Sequence, residues 1–435
     1  MSLRIVCLLT SGRAGSKLFH SFLDWHPQVM GFPRNLSFDE FWRSYAPIHG
    51  DPAALIDAFI RCHPRFFSGE AWYRFNRYDR ADQLGPGKNE TFSVDTERFR
   101  RLALAELASE PRLNRRSLFL ALHRAYHAAC GRPPLGDGIL LYHIHDINFQ
   151  DEVAACLDDF PAETQVLIMA RHPIEGVNAC LKWMVMHNTL SCEELFSHQR
   201  SVLIDGGSLI ERFPGLDIRT VPYEQLLGAQ EAVMRAFAAW TGIRWNESLR
   251  RSTMHGKLWW GNGKAPRQGV NGMQPNGRPS SWLERCEWTA LRSLAPVRLT
   301  RYGYLDGAQQ SEPAGRGTFA ASWLLPTTSE WALLTLSVSP RHWRRVVRGI
   351  RERARDPRRR PEGGRGERFG WVLARHLAQA NPIVWCYWVR RRVLLWARIA
   401  EARRRHNEPV PQLLLESDEA VSPAQGRSHA YAESV

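Results

Sequence analysis

The chain has 435 residues, 44% of them apolar and 23% charged. That balance supports a folded core and excludes a fibrous, collagen-like or wholly disordered protein. The formal net charge is +14, but Arg341 to Arg405 holds 20 Arg, no Lys and five acids, so that segment carries +15 and leaves the remainder at −1. The basicity belongs to a C-terminal appendage, and no nucleic-acid partner is expected for the main domain.

Ile5 to Leu9 is a short continuous apolar run, as in a strand buried on both faces of a parallel sheet. A glycine-containing loop follows: Ser11, Gly12, Arg13, Ala14, Gly15, Ser16 and Lys17. Leu18, Phe19, Phe22 and Leu23 then recur at helical spacing up to Trp25-His26-Pro27. Phe38 to Gly131 reads as mostly helical and rich in aromatics, an insertion (about 35–135) over the active-site end of the sheet. Ile139 to Tyr142 reads as a second strand closed by His143-Ile144-His145-Asp146, and Val166 to Ala170 as a third running into Arg171-His172-Pro173. Ile218 to Val221 is a fourth, before Tyr223-Glu224-Gln225-Leu226 and a helix to about Gly242, with a last helix from Cys286 to Tyr302. Strands alternating with helices predict an α/β fold, a P-loop-like parallel sheet flanked by helices, with ligands bound at the carboxyl ends of the strands.

Beyond about Asp306 the composition changes. The expected organisation is a main domain over 1–307, a linker over 308–330 and a basic, amphipathic helical tail over 331–435 with a disordered end. Seven of the 17 tryptophans follow residue 307, interleaved with arginine, a pattern that fits a helix lying on an anionic membrane surface and equally a basic face packed on protein. The eight cysteines form no CxxC pair and no zinc-ligand spacing, the first residues do not read as a signal peptide, and no run approaches the roughly 18–20 apolar residues of a membrane span. A cytoplasmic protein, peripheral on a membrane at most, with no metal, is the expectation.

The first loop is the chemical centre of the sequence. Successive amides at a helix N-terminus favour an anion, Arg13 and Lys17 add charge, Ser16 adds a hydroxyl, and the glycines let the backbone approach closely. It is not a Walker A loop, since Gly15 is followed by Ser16-Lys17 with no Gly five residues before, and Gly12-x-x-Gly15 is not a dinucleotide fingerprint. His143 and His145 alternate along one strand, so both imidazoles are expected to face one site. A pair of structural, hydrogen-bonded histidines is the competing reading.

Residues 11–29 resemble the 5′-phosphosulfate loop of the PAPS-dependent sulfotransferases, in particular bacterial carbohydrate-type members, PAPS being 3′-phosphoadenosine-5′-phosphosulfate. Val166 to Pro173 is similar to that family's 3′-phosphate strand, Tyr223 to Leu226 to its Tyr-Glu-Asp-Leu, and Leu299 to Tyr304 to its Leu-x-x-x-Gly-Tyr ending. The resemblance implies sulfuryl transfer from PAPS, as co-substrate, to a hydroxyl of a glycan or glycolipid. It implies Arg13 at the bridging and sulfuryl oxygens, Ser11 to Lys17 as the cradle, and Arg171 on the 3′-phosphate. The family's Ser eight residues after that Arg is here Ala179, with Asn178 as the candidate replacement; Tyr223 and Arg278 complete the donor set. It further implies His145 as general base, supported by His143 or Asp146. A P-loop-like nucleotide-dependent kinase or hydrolase, and a non-catalytic membrane-associated anion-binding protein, are the alternatives.

Overall fold

The computed structural model describes residues 3–48, 50–71, 79–110, 112–147, 149–172, 175–176, 179–180, 209, 212–261, 340, 344, 348 and 412–413. Asn178, Arg278, the helix expected over Cys286 to Tyr302, the linker and nearly all of the basic tail lie outside the described residues.

The elements run β1 (Arg4–Thr10), α1 (Ser16–Leu23), β2 (Val29–Met30), α2 (Phe38–Ser44), α3 (Pro52–Cys62), α4 (Pro64–Phe67), α5 (Thr96–Ala108) and α6 (Arg115–Ala129). They continue with β3 (Ile139–Asp146), α7 (Gln150–Asp159), β4 (Thr164–Ala170), β5 (Ile218–Pro222), α8 (Tyr223–Gly228), α9 (Gln230–Thr241) and a small hairpin of β6 (Thr253–Met254) and β7 (Lys257–Leu258). Strands β2-β3-β1-β4-β5 form one sheet in that order, and every pair in it is parallel. The sheet and its flanking helices are the α/β, P-loop-like architecture expected from the sequence. The edge strand β2 and the hairpin have no counterpart in that expectation, since two-residue strands carry too little pattern to read.

The sheet separates two apolar layers because alternate residues of its strands point to opposite faces. Ile5 to Leu9 is wholly buried. Ile5, Cys7 and Leu9 join Phe32, from the segment after β2, and Phe59, Phe66, Phe99 and Leu118 from the helices between β2 and β3. Val6 and Leu8 join Phe19, Phe22, Val233 and Phe237 on the other face, where Phe19 and Phe237 meet edge to face at 5.2 Å. Asp51 caps α3 by accepting from Ala54 N, with Pro52 at the first helical position, and Asn114 and Ser117 close a reciprocal capping box on α6.

β1 sits between β3 and β4, so its two neighbours continue to opposite sides and a crevice opens at its carboxyl end. There the pairing with β3 slips by one residue: Leu8 faces His143 and Leu9 faces His145. This bulge inserts Ile144 and puts His145 at a φ of 92°.

Candidate functional site

The loop after β1 is pinned from both ends. The Ser11 amide and hydroxyl both donate to the Met169 carbonyl of β4, at 3.0 and 3.3 Å, and Ala14 N donates to Thr10 Oγ1 at 3.3 Å. Gly12, Arg13 and Gly15 take φ values of 72°, 35° and 85°, which turn the chain sharply into α1. No side chain caps that helix, so its first amides stay available at the loop. Within the expected cradle, the Ser11 amide and hydroxyl are both engaged by Met169.

Arg13 is half-buried and makes no ion pair with a described residue. Burial holds its guanidinium below the usual arginine range, and Arg171 adds to that against Cys180, Asp79 and Tyr223. Arg171 Nη1 donates to the Arg13 carbonyl at 3.2 Å, its Nη2 stands 3.7 Å from Glu175, and its Nε is buried with no hydrogen-bond partner. The Tyr223 ring lies 4.9 Å from the Arg171 guanidinium carbon. The same ring covers Gly15 so closely that a Cβ there would fall 2.4 Å from its Cδ2. Arg13, Gly15, Arg171 and Tyr223 are therefore brought together from the ends of three strands. Glu224 Oε1 accepts from His172 N at 3.1 Å and ties the ends of β4 and β5 to each other.

Lys17, expected in the cradle, is engaged by an acidic side chain here. It shares a face of α1 with His20 and Ser21, three and four residues on. Its ammonium bonds Asp79 Oδ1 at 2.6 Å, and Arg34 Nη1 takes Asp79 Oδ2 at 2.7 Å. Burial pushes the Asp79 carboxyl up, but Lys17 and Arg34 outweigh it and hold the group below the usual carboxylate range. Trp259 Nε1 donates to the Asp79 carbonyl at 2.6 Å. These residues, with His20, Ser21, Asp24 and His143, line a small cleft beside α1. Asp24, on its wall, accepts from Thr253 Oγ1 and Gly256 N, both at 2.9 Å.

The two strand histidines are not equivalent. Leu8 and Leu9 belong to opposite layers, so the bulge breaks the alternation that put both imidazoles on one face. The rings nevertheless lie 6.0 Å apart. His143 is 2% exposed, and its Nδ1 is 3.0 Å from His20 Nδ1. Burial, then His20, His145, Lys17 and Arg65, push His143 well below the usual histidine range, and burial takes His20 down to about 4. His20, Arg34 and Asp79 were not singled out from the sequence. His20 looks like one more position on an amphipathic helix, and Arg34 and Asp79 meet across 45 residues with no shared motif.

Fold and loop define a P-loop-like α/β domain in which Arg171 is hydrogen-bonded to the Arg13 carbonyl at the glycine turn after β1. Neither a family model nor a curated protein matches the sequence. Among solved structures the chain is similar to the sulfotransferase domain of the Synechococcus PCC 7002 olefin synthase, at 14% identity and a TM-score of 0.34 over 56% of this chain and 75% of that one. It is also similar to the sulfotransferase domain of the curacin biosynthetic pathway (13%, 0.31, 57% and 77%) and to sulfotransferase STF9 from Mycobacterium avium (12%, 0.31, 57% and 66%).

No cluster of His, Cys, Asp and Glu suited to a metal occurs among the described residues. No described helix is long and apolar enough to cross a membrane.

Proposed function

We propose that the chain transfers a sulfuryl group from PAPS to a hydroxyl of an acceptor, of the glycan or glycolipid class. The observation that carries this reading is the pairing of Arg13 and Arg171 through one hydrogen bond at the glycine turn, with a histidine at the neighbouring strand end. PAPS would bring the activated sulfuryl group and, with its two phosphates, the two anions that such a pair of cations suits.

Arg13 and the amides at the start of α1 would hold the 5′-phosphosulfate, and Arg13 would neutralise charge on the oxygen that leaves with the phosphate. Arg171, whose Nε lacks a partner, would hold the 3′-phosphate while its Nη1 keeps the Arg13 carbonyl in place. Gly15 leaves room for the Tyr223 ring, which stacks on Arg171 and fixes its plane. Asn178 and Arg278 remain candidates for the rest of the 3′-phosphate grip. A histidine at the end of β3 would take the acceptor proton. A kinase or hydrolase reading is less supported, because the Lys17 ammonium is held on Asp79 rather than at the loop.

Titration calorimetry of the full chain against 3′,5′-adenosine bisphosphate and against ATP tests the assignment. Binding of the bisphosphate alone is expected. Arg13→Ala is expected to lower turnover of PAPS by roughly 100-fold or more, the scale of one lost oxyanion contact. Binding of ATP but not of the bisphosphate, or an unchanged rate in Arg13→Ala, would sink it.

A further inference from the structure

α8 has six residues and no side chain caps it, and a helix that short does not hold its own shape in water. Its first turn is fixed by what its side chains reach, and Tyr223, Glu224 and Gln225 reach three different parts of the chain. The Tyr223 ring covers Gly15 and stands 4.9 Å from the Arg171 guanidinium carbon. Glu224 Oε1 accepts from His172 N at 3.1 Å. Gln225 Nε2 donates to Gln412 Oε1 at 2.8 Å, a bond between residues 187 positions apart.

The first two contacts join this corner to Arg171 and to the strand that carries it. The third joins it to a segment from near the far end of the sequence, and that segment is built into the sheet. Gln412 pairs in parallel with Thr220, and Leu413 N donates to the Thr220 carbonyl at 2.9 Å. Gln412 is 1% exposed, and Leu413 belongs to the apolar layer of Val221, Leu226 and Phe237. The segment therefore grips the chain on both sides of Pro222, at β5 by a ladder bond and at α8 by a side-chain amide. Apolar packing around Leu226 holds α8 down but sets no direction, whereas a hydrogen bond between two amides does.

We infer that Gln412 is a positioning residue for the donor site: through Gln225 it sets the first turn of α8, and with it the place of the Tyr223 ring against Arg171 and the glycine turn. The inference rests on the sulfuryl-transfer reading for the identity of the donor. Without the amide bond α8 turns about its Leu226 anchor and the ring leaves Arg171. The guanidinium then loses the plane in which its fork meets a phosphate.

Titration calorimetry of the full chain against 3′,5′-adenosine bisphosphate tests the link. Gln225→Ala and Gln412→Ala are each expected to weaken binding roughly 3- to 10-fold, the worth of one side-chain hydrogen bond. The double variant should be no worse than either single one, because all three remove the same bond. Gln225→Glu keeps the pair, with the Gln412 amide turned over to donate from Nε2, and should stay within about twofold of the wild type. Adenosine 5′-monophosphate lacks the 3′-phosphate that Arg171 would hold, so its affinity should fall less. Gln225 is half-buried, so Gln225→Ala decides if Gln412→Ala does not fold. Hydrogen exchange of β5 and α8 without ligand, read by mass spectrometry, should quicken in the alanine variants.

Unchanged bisphosphate binding in Gln225→Ala rejects the inference, as do additive losses in the double variant or a Gln225→Glu no better than Gln225→Ala. Equal losses for the bisphosphate and the monophosphate reject the route through Arg171. If the wild type binds no bisphosphate while exchange quickens as expected, the sulfuryl-transfer reading fails and the donor role of Gln412 falls with it. A wild type that binds, beside alanine variants that bind equally well, removes the Gln412 role alone.

Discussion

Replacing Asp79 by Asn removes the anion that both Lys17 and Arg34 bind, at 2.6 and 2.7 Å, and leaves two cations against a neutral amide. The Arg34 and Asp79 side chains are 2% and 3% exposed, so water does little to replace what is lost, whereas Lys17 at 29% recovers part of its hydration. Breaking a buried ion pair on one side costs about 3–5 kcal/mol, and the partial exposure of Lys17 puts the expectation near 3 kcal/mol. For a domain of this size that is a fall in Tm of roughly 6–12 °C, measured by calorimetry at pH 7. Adding Lys17→Met should restore about 1 kcal/mol or more, since the pair is coupled. The folded-state pKa of Asp79 lies below its unfolded value, so its contribution is fully present above about pH 4 and is lost as pH falls through the folded value. The Tm gap between the wild type and Asp79→Asn should therefore narrow as the pH falls below about 4. A drop of under 2 °C at pH 7, or a gap that does not narrow on acidification, refutes the reasoning.

Gly15→Ala places a Cβ at a φ of 85° and 2.4 Å from the Tyr223 ring, so about 1–2 kcal/mol of backbone strain adds to displacement of the ring from Arg171. Calorimetry should find 3′,5′-adenosine bisphosphate binding weakened at least roughly tenfold, and unchanged binding would refute the role of the ring. Arg171→Ala removes a charged donor worth about 1.5–3 kcal/mol, hence a roughly 10- to 100-fold weaker dissociation constant for the same ligand, with a smaller effect on the rate of bound enzyme. Glu152 accepts from the Tyr142 hydroxyl, from Asp39 N at 2.8 Å and from Glu40 N at 3.1 Å, and so caps α2 from the neighbouring helix. Glu152→Ala should lower stability by about 1–3 kcal/mol in urea denaturation with donor binding unaltered.

The parallel sheet was legible because its strands are buried on both faces and so read as unbroken apolar runs: Ile5 to Leu9 and Val166 to Ala170 are both fully buried. The loop was legible because a glycine turn between such a strand and an amphipathic helix leaves few other uses for Arg13. What alternation missed is the bulge at Ile144, for a strand's spacing carries no mark of a register slip set by its neighbour. The ion pair of Lys17 with Asp79 was not legible either, because proximity in sequence to the loop says nothing of the helix face it shares with His20. Asp79 was invisible for a different reason: its partners come from α1 and from the segment after β2, and no local pattern links them.

The outer edge of β5 does not face solvent bare. Gln412 pairs in parallel with Thr220, Leu413 N donates to the Thr220 carbonyl at 2.9 Å and is itself buried, and Gln412 Oε1 accepts from Gln225 Nε2 at 2.8 Å. An open strand edge invites pairing with another chain. Residues near the far end of the sequence thus act as a chain-supplied guard on the sheet, and a protein shortened before Gln412 trades that guard for an adhesive margin three residues from Tyr223.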